Sequence, residues 1–234
     1  MPLKRIGYWF ETPGVDSKYP LPQVLQTEYS TEQRNRLSQY LREGSRINQY
    51  RGYSWCRFGC GECDEKMGSA ELTDGTWVWP EGLAHYVSEH SVSLPAEFVN
   101  GIRSRKPLAA DAESPVSDEA WVSWAIEQGA VPDFRGWELL NTSWLSQKET
   151  QQRLIDAIKQ TAYGDLVLPE YDFVFGVAVN KESLECLIEL TDGRYVCCRV
   201  SEFSRTLVPN VESMREVNSM LEWPRIPAGS DRQH

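Results

Sequence analysis

The sequence predicts an α+β chain of short antiparallel strands and hairpins with four to six helices. Three observations predict it. Asp-Gly pairs flanked by strand-like residues occur at 74–75 and at 192–193, the strongest short-range hairpin signal. A capping-box pattern opens a helix at Ser30, with Gln33 three residues on. Apolar residues elsewhere recur at helical spacing, as at Leu154, Ile155 and Ile158.

In order along the chain, Ile6–Phe10 (IGYWF) is a short aromatic-rich strand. The Ser30-capped helix buries Leu37, Tyr40 and Leu41 and stops at Gly44. Residues 47–55 form a strand. Glu71-Leu72 and Trp77-Val78-Trp79 pair across Asp74-Gly75, whose central positions call for positive φ. Pro80 then suits the first position of a helix running to Glu89, with Glu81 complementing its N-terminal dipole. A second short helix follows Pro95. Residues 104–118 (SRKPLAADAESPVSD) lose all periodicity and read as a linker or long loop. Ser117 or Asp118 caps a helix bearing Trp121, Val122, Trp124, Ala125 and Ile126, which Gly129 ends. A helix at 146–162, strands at 171–179, 184–190 and 194–200, and a last helix at 211–221 complete the reading. The expected organisation is an N-terminal region over 1–103, the linker over 104–118 and a C-terminal region over 119–234. ELTDGTWV at 71–78 and ELTDGRYV at 189–196 agree at six of eight positions. Hairpins draw on few residue types, so this echo reads as shared architecture rather than duplication.

A chain of 234 residues buries enough apolar surface to fold without disulfides or metals. Its net charge of −10 repels phosphate backbones and anionic lipid, so neither nucleic acid nor a membrane is an expected partner. A basic protein is the better match. The opening MPLKRIGYWFETPG holds no apolar stretch of the secretory kind, so a cytoplasmic location is expected, with the six cysteines as thiols or ligands.

The chemistry concentrates in Tyr53–His90. Cys56, Cys60 and Cys63 form C-x3-C-x2-C, with Gly59 and Gly61 letting the backbone fold around an ion. Zinc requires a fourth ligand: His85, with His90 or Asp64 as alternatives. This gives an expected Cys3His zinc site. His85 and His90 lie five residues apart, about 140° around an ideal helix, which argues against both serving one ion. The same cysteine spacing occurs in radical S-adenosylmethionine enzymes, but Glu62 stands where they carry an aromatic, and their α/β repeats are missing. Glu81, His85 and Glu89 share one face of the expected helix, and a carboxylate beside a histidine can act as base or orienter. No nucleophile elbow, His-Glu-x-x-His or phosphate loop appears, and no catalytic residue is assigned. Trp77, Trp79, Glu81 and Glu89 are the candidate protein-binding residues, since aromatics anchor contacts and acids steer a basic partner.

W-C-R-F-x-C-G followed by M-G-S-x-E-L-T-D-G-x-W-x-W-P-E-G-L-A-H-Y-V, from Trp55 to Val87, resembles a family of uncharacterised bacterial proteins. The resemblance implies a soluble bacterial protein and assigns no activity. Two functions are therefore expected in parallel. One is a protein-binding protein of the immunity or antitoxin type that neutralises a basic toxin domain. The other is a zinc-binding enzyme or regulatory module.

Overall fold

A computed structural model of the chain describes residues 2–11, 16–102, 114–139, 174–180, 182–190, 195–200, 211–217 and 219–227. The fold is α+β: five α-helices and two five-stranded sheets among the described residues. The chain divides into two compact units. One comprises Met1–Glu11, Lys18–Pro132 and Arg225–His234; the other comprises Thr12–Ser17 and Asp133–Pro224.

The first unit holds a mixed sheet in the order β2-β3-β4-β1-β5. These strands are β1 (Leu3–Arg5), β2 (Ser45–Gln49), β3 (Ala70–Thr73), β4 (Trp77–Pro80) and β5 (Val116–Ser117). β1 runs parallel to both β4 and β5, whereas β2, β3 and β4 are antiparallel. The β3–β4 turn forms where Asp74-Gly75 lies, by a different device from the one expected. Only Gly75 adopts positive φ (84°). Asp74 instead accepts the Thr76 and Trp77 N–H groups on Oδ1, at 2.8 and 2.7 Å, an Asx turn replacing a second left-handed residue. Tyr40 donates to the other carboxylate oxygen at 2.9 Å, joining the turn to the first helix.

Five helices accompany this sheet: α1 (Thr31–Arg42), α2 (Asp64–Met67), α3 (Leu83–His90), α4 (Ala96–Gly101) and α5 (Glu119–Glu127). α1 begins at the expected capping box, with both reciprocal bonds present. It packs on α3 and buries Leu37, Tyr40 and Leu41. The core is aromatic. Phe98 from α4 meets Trp77, Trp79 and Tyr40 edge-on, with centroids 5.6, 5.8 and 6.0 Å apart, the geometry that ring quadrupoles favour. Trp79 Nε1 donates to Leu41 O at 3.0 Å and Trp121 Nε1 to Tyr8 O at 2.8 Å, so these rings bury their area with the polar edge satisfied.

Among the described residues the second unit holds a fully antiparallel sheet, β10-β9-β8-β7-β6. Its strands are β6 (Glu138–Leu139), β7 (Val174–Asn180), β8 (Glu185–Leu190), β9 (Tyr195–Val200) and β10 (Val211–Val217). Cys186, Leu187 and Ile188 are successive and all buried, as are Tyr195 to Cys198. Successive side chains point to opposite faces, so both faces of β8 and β9 are covered here. Phe134 stacks on Trp223 at 5.3 Å, and Trp223 Nε1 donates to Asp133 O at 3.0 Å.

Several expectations shift. The strand at 6–10 is β1 at 3–5, and beyond it the chain continues only one sheet bond, Ile6 N–H to Val78 O at 3.0 Å. The 47–55 strand ends at Gln49. Pro80 closes β4 instead of opening a helix: it pairs with Glu71, and the Glu81 N–H still bonds Ala70 O at 2.9 Å. α3 therefore starts three residues later, after Gly82. The helix expected at 211–221 is a strand, β10, followed by a 3-10 turn at Met220–Glu222. Pairing with β9 along its length satisfies the backbone and overrides helical propensity. Residues 104–113, the 146–162 helix and the Asp192-Gly193 turn lie outside the described residues. Among the described residues no helix is long and apolar enough to cross a membrane.

Candidate metal centre

Leaving β2, the chain is held to the sheet by Tyr50 N–H to Ser69 O (2.7 Å) and Ser54 N–H to Gly68 O (3.0 Å). It then folds into a tight turn closed by Gly59 N–H to Cys56 O at 3.0 Å. Gly59 and Gly61, on either side of Cys60, have φ of 62° and 76°. An L side chain resists that region, so the two glycines are what let the turn present both Cys56 and Cys60 to one side.

Tyr86 of α3 fixes this turn. Its buried hydroxyl accepts the Arg57 N–H at 3.0 Å and donates to Trp55 O at 3.3 Å. Burial pushes the Tyr86 phenol up to about 12, which keeps its proton available to donate. Gln23 Nε2 holds Arg57 O at 2.6 Å, and Arg57 pairs with Glu11 at 2.8 Å while lying over the Trp55 ring.

Cys56, Cys60, His85 and His90 thereby converge. Their Sγ and Nε2 atoms all lie within 4.8 Å of one another. Cys56 Sγ is 3.2 Å from His90 Nε2, Cys60 Sγ is 3.4 Å from His85 Nε2, and the two Nε2 atoms are 3.2 Å apart. Bond lengths of about 2.3 Å to sulfur and 2.0–2.1 Å to nitrogen around a tetrahedral zinc place ligand atoms about 3.6 Å (S···N) and 3.3 Å (N···N) apart. These three edges fall within about 0.4 Å of that tetrahedron, and the other three are bounded at 4.8 Å. This Cys/His cluster could hold a metal ion.

Both histidines converge despite their spacing. A helical projection treats side chains as spokes, whereas an imidazole tip is placed by its own rotamer. His90 is the last residue of α3, followed by Ser91 in the left-handed conformation (φ 52°). Phe58 stacks on the His90 ring at 4.0 Å and 6°. That stack orients the imidazole, and Gln26 Nε2 holds the His90 carbonyl at 3.1 Å.

The electrostatics prepare the nitrogens as ligands. Burial lowers both histidines below their usual value, and for His90 proximity to His85 adds to the effect. Neutral imidazole is the metal-binding form. Burial raises the Cys56 thiol; a bound cation reverses that preference by stabilising the thiolate.

The other candidates lie elsewhere. Cys63 is exposed at the N-cap of α2, outside the group of four. Asp64 opens α2 and is also outside it. Trp77 and Trp79 are fully buried, which removes them from any contact surface and corrects the binding role read from sequence. Glu81 precedes α3, accepts the Ser69 N–H at 3.2 Å and pairs with Arg46 at 3.3 Å, so it does not share a helix face with His85. Glu89 is exposed on α3. Phe58 and Tyr86 were missed as supporting residues. The Phe two positions before Cys60 and the Tyr beside His85 were the available signals.

Comparison with protein families, with curated proteins and with solved structures returns no match for this chain.

Proposed function

We propose that this chain is a zinc-stapled protein-binding protein, in which a Cys2His2 zinc ion locks a surface loop into a contact surface. The observation that carries the reading is the convergence of Cys56, Cys60, His85 and His90 within 4.8 Å, with three S···N and N···N edges close to those of a tetrahedral zinc. Two thiolates and two imidazoles suit zinc. Four protein ligands leave no open position for water or substrate, which favours a structural ion over a hydrolytic one. Two ligands come from the loop and two from α3, so the ion ties the loop to the helix.

That loop displays the aromatics. Tyr50, Tyr53 and Trp55 are 57, 56 and 47% exposed, adjoining the metal turn. Exposed aromatics anchor protein contacts, and a net charge of −10 favours a basic partner. An immunity-type role, covering a basic toxin domain, is the specific form of this reading.

Removing zinc with a chelator tests the staple. The rest of the unit has its own core, so hydrogen exchange at 55–60 is expected to accelerate while the core stays protected. Unchanged exchange across 55–60 would defeat the structural role. Co-purification with the product of a neighbouring gene, weakened by Trp55→Ala, tests the partner; failure of capture together with failure to rescue that gene's toxicity rejects it.

A further inference from the structure

The C-x3-C-x2-C motif contributes only two of its three cysteines to the group of four, which leaves Cys63, three residues from the ligand Cys60, outside it. Cys63 is exposed and its side chain makes no N-cap bond to α2. Cys60 is the exposed member of the ligand group. The remaining four cysteines are buried. Oxidant in solvent therefore meets Cys60 and Cys63 first, and these two are three residues apart across Gly61, which at φ 76° bends the chain between them.

We infer that Cys60 and Cys63 are a peroxide-oxidisable pair that releases the ion, Cys60 being the reacting thiolate and Cys63 the resolving thiol. The inference rests on the zinc reading above. In the first step the Cys60 thiolate attacks hydrogen peroxide. An S–O bond forms, the O–O bond breaks, and the departing hydroxide takes a proton from solvent as water. In the second, the Cys63 sulfur attacks the Cys60 sulfenic acid. The S–S bond forms, the S–O bond breaks, and hydroxide leaves with the Cys63 proton as a second water. The sulfurs lose two electrons and peroxide gains them. The ion keeps Cys56, His85 and His90 but loses one thiolate, and binding weakens accordingly. A reducing thiol reopens the disulfide and restores the site.

The test treats zinc-loaded full-length protein with hydrogen peroxide and follows released zinc with a chromogenic chelator. Peptide mass mapping locates the disulfide. The expected result is release of the bound zinc, a Cys60–Cys63 linkage, and reloading after dithiothreitol and fresh zinc. Cys63→Ser replaces an exposed N-cap by a residue favoured there, so the fold is expected to persist. In that variant the thiol assigned as resolving is gone, so Cys60 is expected to proceed to sulfinic acid and reloading after reduction to fail. A Cys56–Cys60 linkage, the absence of any disulfide, or full reloading of Cys63→Ser would each overturn the inference. Should the protein load no zinc, the zinc reading fails, and mass mapping of the metal-free protein still decides whether Cys60 and Cys63 pair.

Discussion

Tyr86→Phe separates the scaffold of the metal centre from its ligands. Phenylalanine retains the ring contacts with Trp9 (4.9 Å) and Phe58 (6.1 Å) and deletes only the hydroxyl. Trp55 O still accepts from Arg57 Nη1 at 2.7 Å, so one acceptor is spared. The Arg57 N–H loses the acceptor it has at 3.0 Å. An orphaned buried donor costs about 1–3 kcal/mol; Arg57 is half-buried, and water access takes this toward the lower end. At roughly 1.4 kcal/mol per tenfold, about 1 kcal/mol of lost preorganisation lowers zinc affinity about fivefold. The assay is zinc competition against a chromophoric chelator, alongside urea unfolding with and without metal. A weaker zinc affinity with all four ligands intact is expected. If stability falls while zinc affinity stays within about twofold of the unaltered protein, the turn and α3 do not cooperate in holding the ion.

Asp74→Ala removes three hydrogen bonds of a buried carboxylate, from Thr76, Trp77 and Tyr40. With charged acceptors worth about 1.5–3 kcal/mol each and partial rearrangement, a loss of about 3 kcal/mol in urea unfolding is expected; a change below about 1 kcal/mol would contradict the turn's role. Gly44→Ala would bring a Cβ within 2.6 Å of Trp79 Cζ2 and 2.9 Å of Leu72 Cβ. Overpacking of that kind costs about 1–3 kcal/mol, read as a lower Tm, and an unchanged Tm would show that the Trp79 ring can yield. Acid also weakens the metal-free protein. His85 and His90 are depressed in the folded state, so the unfolded chain binds protons first as pH falls through 6.5. Stability rises with pH where the unfolded state holds more protons, so it declines from about pH 6.5 downward until the folded histidines also titrate. His85→Gln with His90→Gln flattens that slope; an unaltered slope would assign it to other groups.

The legible parts of this protein were local ones. The Ser30 capping box and the Asp74-Gly75 turn rest on groups within three residues of each other, and both form. Pro80 and residues 211–217 were misread because their pairing partners, Glu71 and β9, decide their conformation from a distance. The cysteine turn was legible through its glycines, yet its ligand set was not. Cys63 fitted the tight Cys-x2-Cys spacing, but it stands exposed at the N-cap of α2, outside the group of four. His90 stood only as an alternative to His85, since helical geometry argued against both serving one ion, and the Phe58 stack, a contact across 32 residues, shows what orients its ring. Trp77 and Trp79 suited a surface as well as a core by composition; burial behind Phe98 and Tyr40 decided for the core.

The most direct measurement is X-ray absorption at the zinc edge, on protein purified without chelator and assayed for metal content. About one zinc per chain is predicted, with two sulfurs at about 2.3 Å and two nitrogens at 2.0–2.1 Å. Metal content near zero after loading, or a shell of three sulfurs and one nitrogen that brings in Cys63, would contradict the assignment of Cys56, Cys60, His85 and His90.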